Sequence, residues 1–331
     1  MQLTQKKSRR SDLLTAAAVA MLLAVMAALL YTGSLTRQVT NMLIPTAVYI
    51  VMAVSLNLVV GLLGELSLGH AGFMSVGLFS GCLVAIALTN TALPLMVRLP
   101  VSMLAGGLTA AVFGLLVGLP TLRLRGDYLA IVTLACGEII KNIITNLRVT
   151  GGALGLNTTA IYAGAKELLP YGAALVLLTV AVMLNLKRSK YGRAIMAIRD
   201  NRIAAESVGL SVTRYKLAVF VIAAFFAGCA GVLYGHSLAN IKAAAFDYNM
   251  SIEILVIVVL GGMGSVPGSV VSAIVLTVLP EALREVADYR MLVYAVVLIL
   301  VMQATNNPAM KRFFGAACKS LTPKRKERAA L

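Results

Sequence analysis

The amino-acid sequence predicts an all-α, polytopic membrane protein with about eight to ten transmembrane helices. Hydrophobic residues make up 60% of the 331 residues, charged residues only 13%, and the mean hydropathy is +0.90. Soluble domains contain about half apolar and about a quarter charged residues, so a chain this apolar is expected to use lipid as its solvent. The apolar residues also fall into runs near the length of about 20 residues that a membrane span needs.

Ten apolar runs are the candidate membrane segments. In chain order they are Leu13–Tyr31, Met42–Leu62, Leu68–Leu88, Leu99–Leu119, Tyr128–Leu147, Tyr171–Leu186, Lys216–Leu238, Ile252–Leu260, Ser265–Leu283 and Leu292–Met302. The first is longer than the apolar core of a signal peptide and lacks a convincing cleavage site, so we expect a retained helix. The run Ile252–Leu260 is too short to span fully, which predicts a broken segment.

Glycine-rich breaks follow two of these runs. The segment Gly61–Gly72 (GLLGELSLGHAG) loosely resembles Val259–Ser269 (VLGGMGSVPGS), which hints at an internal repeat. Irregular backbone inside a membrane is tolerated only against protein or water, and such breaks often line a transport path.

The basic residues predict the orientation of the chain. Most of the 29 Lys and Arg residues lie near the N-terminus, before Tyr128, in the central loop or in the C-terminal tail. With ten spans these regions share one side, which predicts a membrane protein with both termini in the cytoplasm. We expect one transmembrane domain, 1–331, made of N-terminal spans (12–186), a central loop (187–212), C-terminal spans (213–306) and a basic tail (307–331).

Composition argues against several other classes of protein. The net charge of +16 falls in short loops between apolar runs, so we expect contact with membrane lipid and no nucleic acid. Three of the four cysteines, Cys82, Cys136 and Cys229, lie in apolar runs where a thiol behaves as a small hydrophobe, and Cys318 follows the last run. The sequence has only two histidines and no zinc-ligand spacing, so no metal site is expected.

The central loop is too polar to span and predicts two short helices. Helix-forming residues at Ala194–Ile198 precede a break at Asp200–Asn201, and a second helix over Arg202–Val208 should end at Gly209. Ile195 and Ile198 form one apolar stripe. The residues alone leave two interpretations open, a surface loop that rests on anionic lipid or a docking element for a partner.

Four stretches, in order along the chain, resemble the branched-chain amino acid family of bacterial ABC importer permeases. They are Asn57–Gly77 (NLVVGLLGELSLGHAGFMSVG), Gly126–Glu138 (GDYLAIVTLACGE), Ser189–Gly209 (SKYGRAIMAIRDNRIAAESVG) and Leu260–Gly268 (LGGMGSVPG), and the run Lys216–Tyr234 continues the match. The GDYLAIVTLA form is more similar to the M-type permease of leucine/isoleucine/valine systems than to the H-type.

This resemblance implies that the central loop couples the permease to an ATPase. The implied coupling residues are Gly192, Arg193, Ala197, Arg199, Asp200, Asn201, Ala204, Ala205 and Gly209. We expect Ala204 and Ala205 to pack and Arg193 and Arg199 to form charge pairs, either with the partner or within the loop. Gly192 and Gly209 should allow tight turns where the helices begin and end.

The same resemblance implies the other components of a transporter. The chain would pair with an H-type sister permease, two ATPase subunits that bind ATP and Mg, and a periplasmic substrate-binding protein. This chain would bind no cofactor and catalyse no reaction, because it has no GxxxxGK[ST] motif. The implied substrates are leucine, isoleucine and valine, with urea, amides or other amino acids as the alternative.

Polar residues within the spans are candidates to line the path, because ionisable groups in a membrane are costly. They are Asn57, Glu65, Ser67, His70, Tyr128, Glu138, Asn142 and Glu253. For Glu138 an internal pair with Lys141 is an equal alternative. For His70 a satisfied buried imidazole is favoured over proton coupling. Glu65 could cap a half-helix, and Asn57 could hydrogen-bond a neighbouring span.

Two functions of other classes compete with the permease. An ion-coupled secondary transporter would use Glu65, Glu138 and Glu253. An intramembrane enzyme is disfavoured, because the sequence contains neither HExxH nor a GxSxG nucleophile motif.

Overall fold

The structure of the chain is a computed structural model that describes residues 17–30, 32, 36–90, 94–124 and 126–282, with the single positions 296 and 299. Residues 1–278 form one compact unit and residues 279–331 a second. The first unit contains every feature discussed below. The basic tail lies outside the described residues, as does the last predicted run apart from those two positions.

The described residues are almost entirely helical. The helices are α1 (Ala17–Leu30), α2 (Arg37–Asn57, continued as a π-helix over Leu58–Leu63), α3 (His70–Thr89), α4 (Leu95–Thr121), α5 (Asp127–Asn146), α6 (Ala165–Arg188), α7 (Lys190–Asp200), α8 (Arg202–Ser207), α9 (Val212–His236), α10 (Tyr248–Gly261) and α11 (Val266–Ala282). Short 3₁₀ turns cover Gly152–Leu154, Thr159–Ile161 and Ala243–Ala245, and two-residue strands cover β1 (Leu156–Asn157) and β2 (Asn240–Ile241).

The predicted class, an all-α polytopic membrane protein, is confirmed. In the described part of the chain, seven helical segments are long and apolar enough to cross a membrane, and α1 and the stretch Val266–Pro280 are shorter apolar helices. One prediction was wrong. The run Ile252–Leu260 belongs to a longer apolar segment, Ala243–Gly261, which is long enough to cross. The length of this segment was predicted too short because the polar residues Asp247 and Asn249 interrupt the apolar pattern at the start of α10.

The centre of the bundle is built on close helix contacts. Helices α3, α4 and α9 approach through small residues, so that a Cβ at Gly77 would strike the backbone of Gly228, and one at Gly106 would strike the carbonyl of Gly77. Small residues let membrane helices pack at short range, where dispersion forces and backbone contacts replace the hydrophobic effect. These contacts set the relative positions of α3, α4 and α9 in the bundle.

Burial differs sharply among the helices. In the segment Arg37–Leu63, which includes α2, 89% of the most apolar stretch is buried inside the protein. The corresponding fractions are 28% in Asp127–Asn146 (α5) and 33% in Ala243–Gly261, which includes α10. At the end of the bundle opposite the central loop, β1 pairs antiparallel with β2, with Leu156 opposite Ile241. Helix α2 is therefore a core element, while α5 and α10 leave broad faces without cover in this chain.

Candidate functional site

The central loop folds into two capped helices. Ser189 Oγ accepts a hydrogen bond from Gly192 N (3.1 Å) at the start of α7, and Asn201 Oδ1 accepts one from Ala204 N (3.0 Å) at the start of α8. Both are N-caps, which satisfy amides left free at a helix start. Gly209 adopts a φ of +83° beyond α8, as a C-terminal glycine does. The predicted break at Asp200–Asn201 and the predicted end at Gly209 are confirmed.

The buried face of the loop packs on itself and on the start of α9. Ile198, Ala205 and Val212 form one buried cluster, and Leu210 and Tyr215 lie against it. Of the two alanines that we expected to pack, Ala205 lies in this cluster and Ala204 is exposed. Adjacent residues on a helix point about 100° apart, so only one of the two can face the cluster.

The outer face of the loop combines polar and apolar side chains. Ile203 and Val208 are each 80% exposed, a large fraction for aliphatic residues, and both lie on or just after α8. Ala197, Ala204, Arg193, Asp200 and Asn201 are exposed around them. Arg193 Nη1 donates to the carbonyl of Arg188 (3.1 Å), so within this chain it contacts only its own segment.

Gly192 does not make the turn that the sequence predicted. It lies in the first turn of α7, and a Cβ there would collide with the carbonyl oxygen of Leu186 at the end of α6. The glycine is required by close approach of two helix ends, and the turn itself falls at Ser189.

Arg199 connects the loop to the membrane helices. Its Nη1 donates to the carbonyl oxygen of Gly61 (3.0 Å), and its Nε and Nη2 donate to Asp200 Oδ1 (3.1 and 3.0 Å). At the other end of α7, Lys187 Nζ donates to the carbonyl oxygen of Gly264 (2.9 Å). Arg199 thus takes the internal one of the two roles that the sequence left open.

The two glycine breaks meet. Asn57, fully buried on α2, accepts a hydrogen bond from Gly264 N (2.7 Å) and donates to Ser269 Oγ (2.7 Å) and to the carbonyl of Ser265 (3.2 Å). A Cβ at Gly61 would strike Gly264 N. Asn57 makes the interhelical hydrogen bonds that its position predicted, and they join the break after α2 to the break after α10.

Glu65 pairs with a cation from the start of α9. Its Oε1 accepts from Lys216 Nζ, and the two side chains are only 14% and 5% exposed. The expected role of Glu65 as a helix cap is not seen, since α3 begins at His70, after the N-cap residue Gly69, and has no side-chain cap. A buried cation is a stronger hydrogen-bond donor to a carboxylate than a neutral amide. Ser67, in the same break, is buried, and its hydroxyl has no hydrogen-bond partner among the residues that the structure describes.

His70 begins α3 deep in the protein. Its Nε2 lies 2.9 Å from Ser55 Oγ, and the ring is buried, as a satisfied structural imidazole should be. The preceding backbone is held by α5, since Leu68 N donates to Thr133 Oγ1 (3.1 Å), and the following amide Ala71 N donates to Ser251 Oγ of α10 (3.2 Å). Irregular backbone here is satisfied by protein groups.

Glu138 has two partners. It forms the predicted pair with Lys141, and its Oε1 accepts a hydrogen bond from Tyr248 N (2.9 Å) at the first turn of α10. Asp247 Oδ1 caps the same helix by accepting from Met250 N (3.2 Å). Two carboxylates at a helix N-terminus are favourable because the amides there are unpaired and the helix dipole is positive.

The remaining path candidates lie apart from the breaks. Tyr128 (73% exposed) and Asn142 are on the uncovered face of α5, and Glu253 on α10 accepts a hydrogen bond from Tyr49 OH (3.2 Å). The structure therefore brings Asn57, Arg199 and the glycine breaks together, and separately places Glu138 and Asn142 on α5.

Sequence reasoning missed three of these contacts. Lys187 and Lys216 counted only as basic residues at the central loop, and Thr133 was not among the predicted site residues. Their position beside glycine breaks in the fold was not visible along the chain. The one available signal was that Lys216 opens an apolar run, where an unpaired lysine would be costly.

Comparison with known proteins agrees with this architecture. Residues 38–302 match the family model described as the branched-chain amino acid transport system / permease component. The high-affinity branched-chain amino acid transport system permease protein LivM of Escherichia coli (strain K12) is 37% identical over 290 residues, which cover 78% of this chain and 66% of that protein. The chain thus spans slightly less than two thirds of that relative's length.

Two further relatives are more distant. The permease protein LivH of the corresponding Salmonella typhimurium (strain LT2) system is 31% identical over 126 residues, 37% of this chain and 40% of that protein. The ribose import permease protein RbsC of Haemophilus influenzae (strain Rd) is 25% identical over 83% of this chain and 86% of that protein. No solved structure matches the chain. The chain belongs to the family of branched-chain amino acid transport system permease components.

Proposed function

We propose that the chain is the membrane-spanning subunit of an ATP-driven importer that carries leucine, isoleucine and valine across the bacterial inner membrane. Family membership and the similarity to LivM support this function. The observation that carries it is the outer face of α7 and α8, which exposes Ile203 and Val208 between polar residues. Exposed aliphatic residues with a polar rim are typical of a protein-binding surface.

The partner on that face is an ATPase subunit. The helices α7 and α8 both have side-chain N-caps and are joined by short connections to α6 and α9. A displacement of α7 and α8 by the partner is therefore passed to membrane helices without a flexible linker. Two ATPases bind the complete transporter, and they hold the ATP and Mg. The central loop and both termini face the cytoplasm, in line with the positive charge of these regions.

The uncovered faces of α5 and α10 face the sister permease. They are the least buried long helices in the described chain, and α5 carries Tyr128 and Asn142 there. The similarity to LivH supports a second, related permease as the partner. The path would then run between the two subunits, with substrate delivered by a periplasmic binding protein.

The function is tested in liposomes that contain this chain with its cognate sister permease, ATPases and binding protein. We expect leucine uptake that requires ATP. Uptake that persists when the ATPase subunits are left out would support an ion-coupled transporter instead and would overturn the proposal.

The substrate is tested separately on the cognate binding protein. Selectivity is expected to lie there, so titration calorimetry with leucine, isoleucine, valine, urea and ribose measures it directly. Tight binding of leucine supports the proposal. Binding of urea or ribose with none of leucine would leave the permease function intact and change its substrate.

A further inference from the structure

Lys187 and Arg199 bracket α7 and reach the two glycine breaks. Lys187, three residues before the helix, donates to the Gly264 carbonyl (2.9 Å), and Arg199, in its last turn, donates to the Gly61 carbonyl (3.0 Å). The contacts join residues 77 and 138 positions apart in sequence. The last turn of α6 and the last turn of α7 are therefore tied to different breaks.

The two carbonyls are suited to hold a cation. Gly61 lies in the π-helical end of α2, and Gly264 lies in the turn between α10 and α11, with a φ of +80°. The Gly61 carbonyl is near the C-terminal end of a helix, where carbonyls lack intrahelical donors and the helix dipole is negative, so a cation there is stabilised. The Gly264 carbonyl belongs to a turn and accepts from Lys187. A hydrogen bond from a charged donor is about twice as strong as one between neutral groups.

The breaks themselves form one unit. Asn57 bonds to Gly264 N, Ser265 O and Ser269 Oγ, and the packing leaves no space for a side chain at Gly61. A displacement of either break must therefore move the other or break these hydrogen bonds.

We infer that Lys187 and Arg199 are positioning residues that transmit movement of α7 and α8 to both glycine breaks at once. The inference rests on the proposed function, in which an ATPase moves these helices. When α7 shifts together with the adjoining end of α6, Arg199 and Lys187 pull on carbonyls of one joined unit, and the ends of α2 and α10 move together. Arg214, which is exposed at the start of α9 and lies outside the outer face of α7 and α8, serves as the comparison residue.

The test compares Arg199→Met, Lys187→Met and the double variant with Arg214→Met as the matched control, in the complete reconstituted complex. Methionine keeps most of the side-chain volume and removes the charge and the donors. ATP hydrolysis and leucine uptake are measured in the same liposomes, and co-purified ATPase is quantified. Wild-type uptake tests the proposed function, while only the variants, relative to wild type, test the inference.

We expect the ATPase to co-purify and hydrolyse ATP in every variant. Uptake per ATP hydrolysed should fall about tenfold in Arg199→Met and Lys187→Met, which is the scale of losing one hydrogen bond to a charged group. Arg214→Met should keep the wild-type ratio, and Arg199→Lys, which restores a charged donor, should recover part of it.

Three results would overturn the inference. The first is an unchanged ratio in the double variant, and the second is an equal fall in Arg214→Met. The third is loss of the ATPase from Arg199→Met or Lys187→Met, which would make these residues part of the docking surface or of the fold. Hydrogen–deuterium exchange gives an independent readout, since Arg199→Met should raise exchange in the segment Gly61–Leu68 and Arg214→Met should not.

Discussion

At the scale of single residues, the decisive groups are buried polar side chains that hold irregular backbone in place. Asn57 bridges two breaks, and Lys216 and Glu65 pair beside them. In a membrane each unpaired polar group is costly, so such residues are required wherever a helix is interrupted. Substitution of these residues should therefore lower the stability of the protein, and any loss of transport should follow from that loss of stability.

Asn57→Leu should destabilise the protein. Leucine has a similar volume but cannot bond to Gly264 N or Ser269 Oγ, so buried partners stay unsatisfied at a cost of about 1–3 kcal/mol. We expect a lower midpoint in a detergent thermal-stability assay read by size-exclusion chromatography. Asn142→Leu is the matched control, because Asn142 is exposed. Equal midpoints for Asn57→Leu and wild type would contradict the bridging role.

The Glu65–Lys216 pair should behave as a coupled unit. Glu65→Gln or Lys216→Met alone leaves a buried charge without its partner, a loss of about 3–5 kcal/mol for such a site. The double variant removes both charges and should recover much of the stability in the same assay. A double variant no more stable than the worse single variant would show that the two charges do not interact.

At the scale of elements, the start of α10 is fixed by carboxylates from two places. Asp247 caps it locally, and Glu138 reaches Tyr248 N from α5. This arrangement makes Glu138 a structural acceptor between two helices that leave broad faces uncovered. It also bears on the two interpretations of Glu138 that the sequence left open.

Glu138→Gln should retain most leucine uptake in the reconstituted complex. Glutamine keeps an oxygen that can accept from Tyr248 N, while Glu138→Leu loses it and should lose most uptake. A carboxylate that bound the ammonium group of the substrate would fail in both variants. Loss of uptake in Glu138→Gln, with normal assembly, would therefore assign Glu138 to the path.

The central loop shows what could and could not be predicted from the sequence. Its helices begin after the N-cap residues Ser189 and Asn201, and α8 ends just before Gly209. These boundaries could be predicted because N-caps and left-handed glycines act over a few residues. The partners of Lys187 and Arg199 could not be predicted, since each is fixed by helix packing across distant parts of the chain. For the same reason the sequence alone did not show that Ala205 would face the cluster and Ala204 would be exposed.

At the scale of the whole molecule, the orientation proposed from basic residues places the central loop inside the cell and the β1–β2 end outside. Cysteine labelling of a variant without native cysteines tests it. Leu154→Cys (83% exposed in the wild type) should react with a membrane-impermeant maleimide in spheroplasts. Ala204→Cys should react only after permeabilisation. The reverse pattern would invert the proposed topology.

The central claim is that the outer face of α7 and α8 docks an ATPase, and co-purification tests it most directly. Ile203→Glu places a charge on the most exposed aliphatic position of α8, and Thr213→Glu, exposed at the start of α9, is the control. Wild type and Thr213→Glu should retain the cognate ATPase, while Ile203→Glu should insert normally and lose about tenfold in retained ATPase, as a central interface residue does. Retention of the ATPase by Ile203→Glu at the wild-type level would contradict docking on this face.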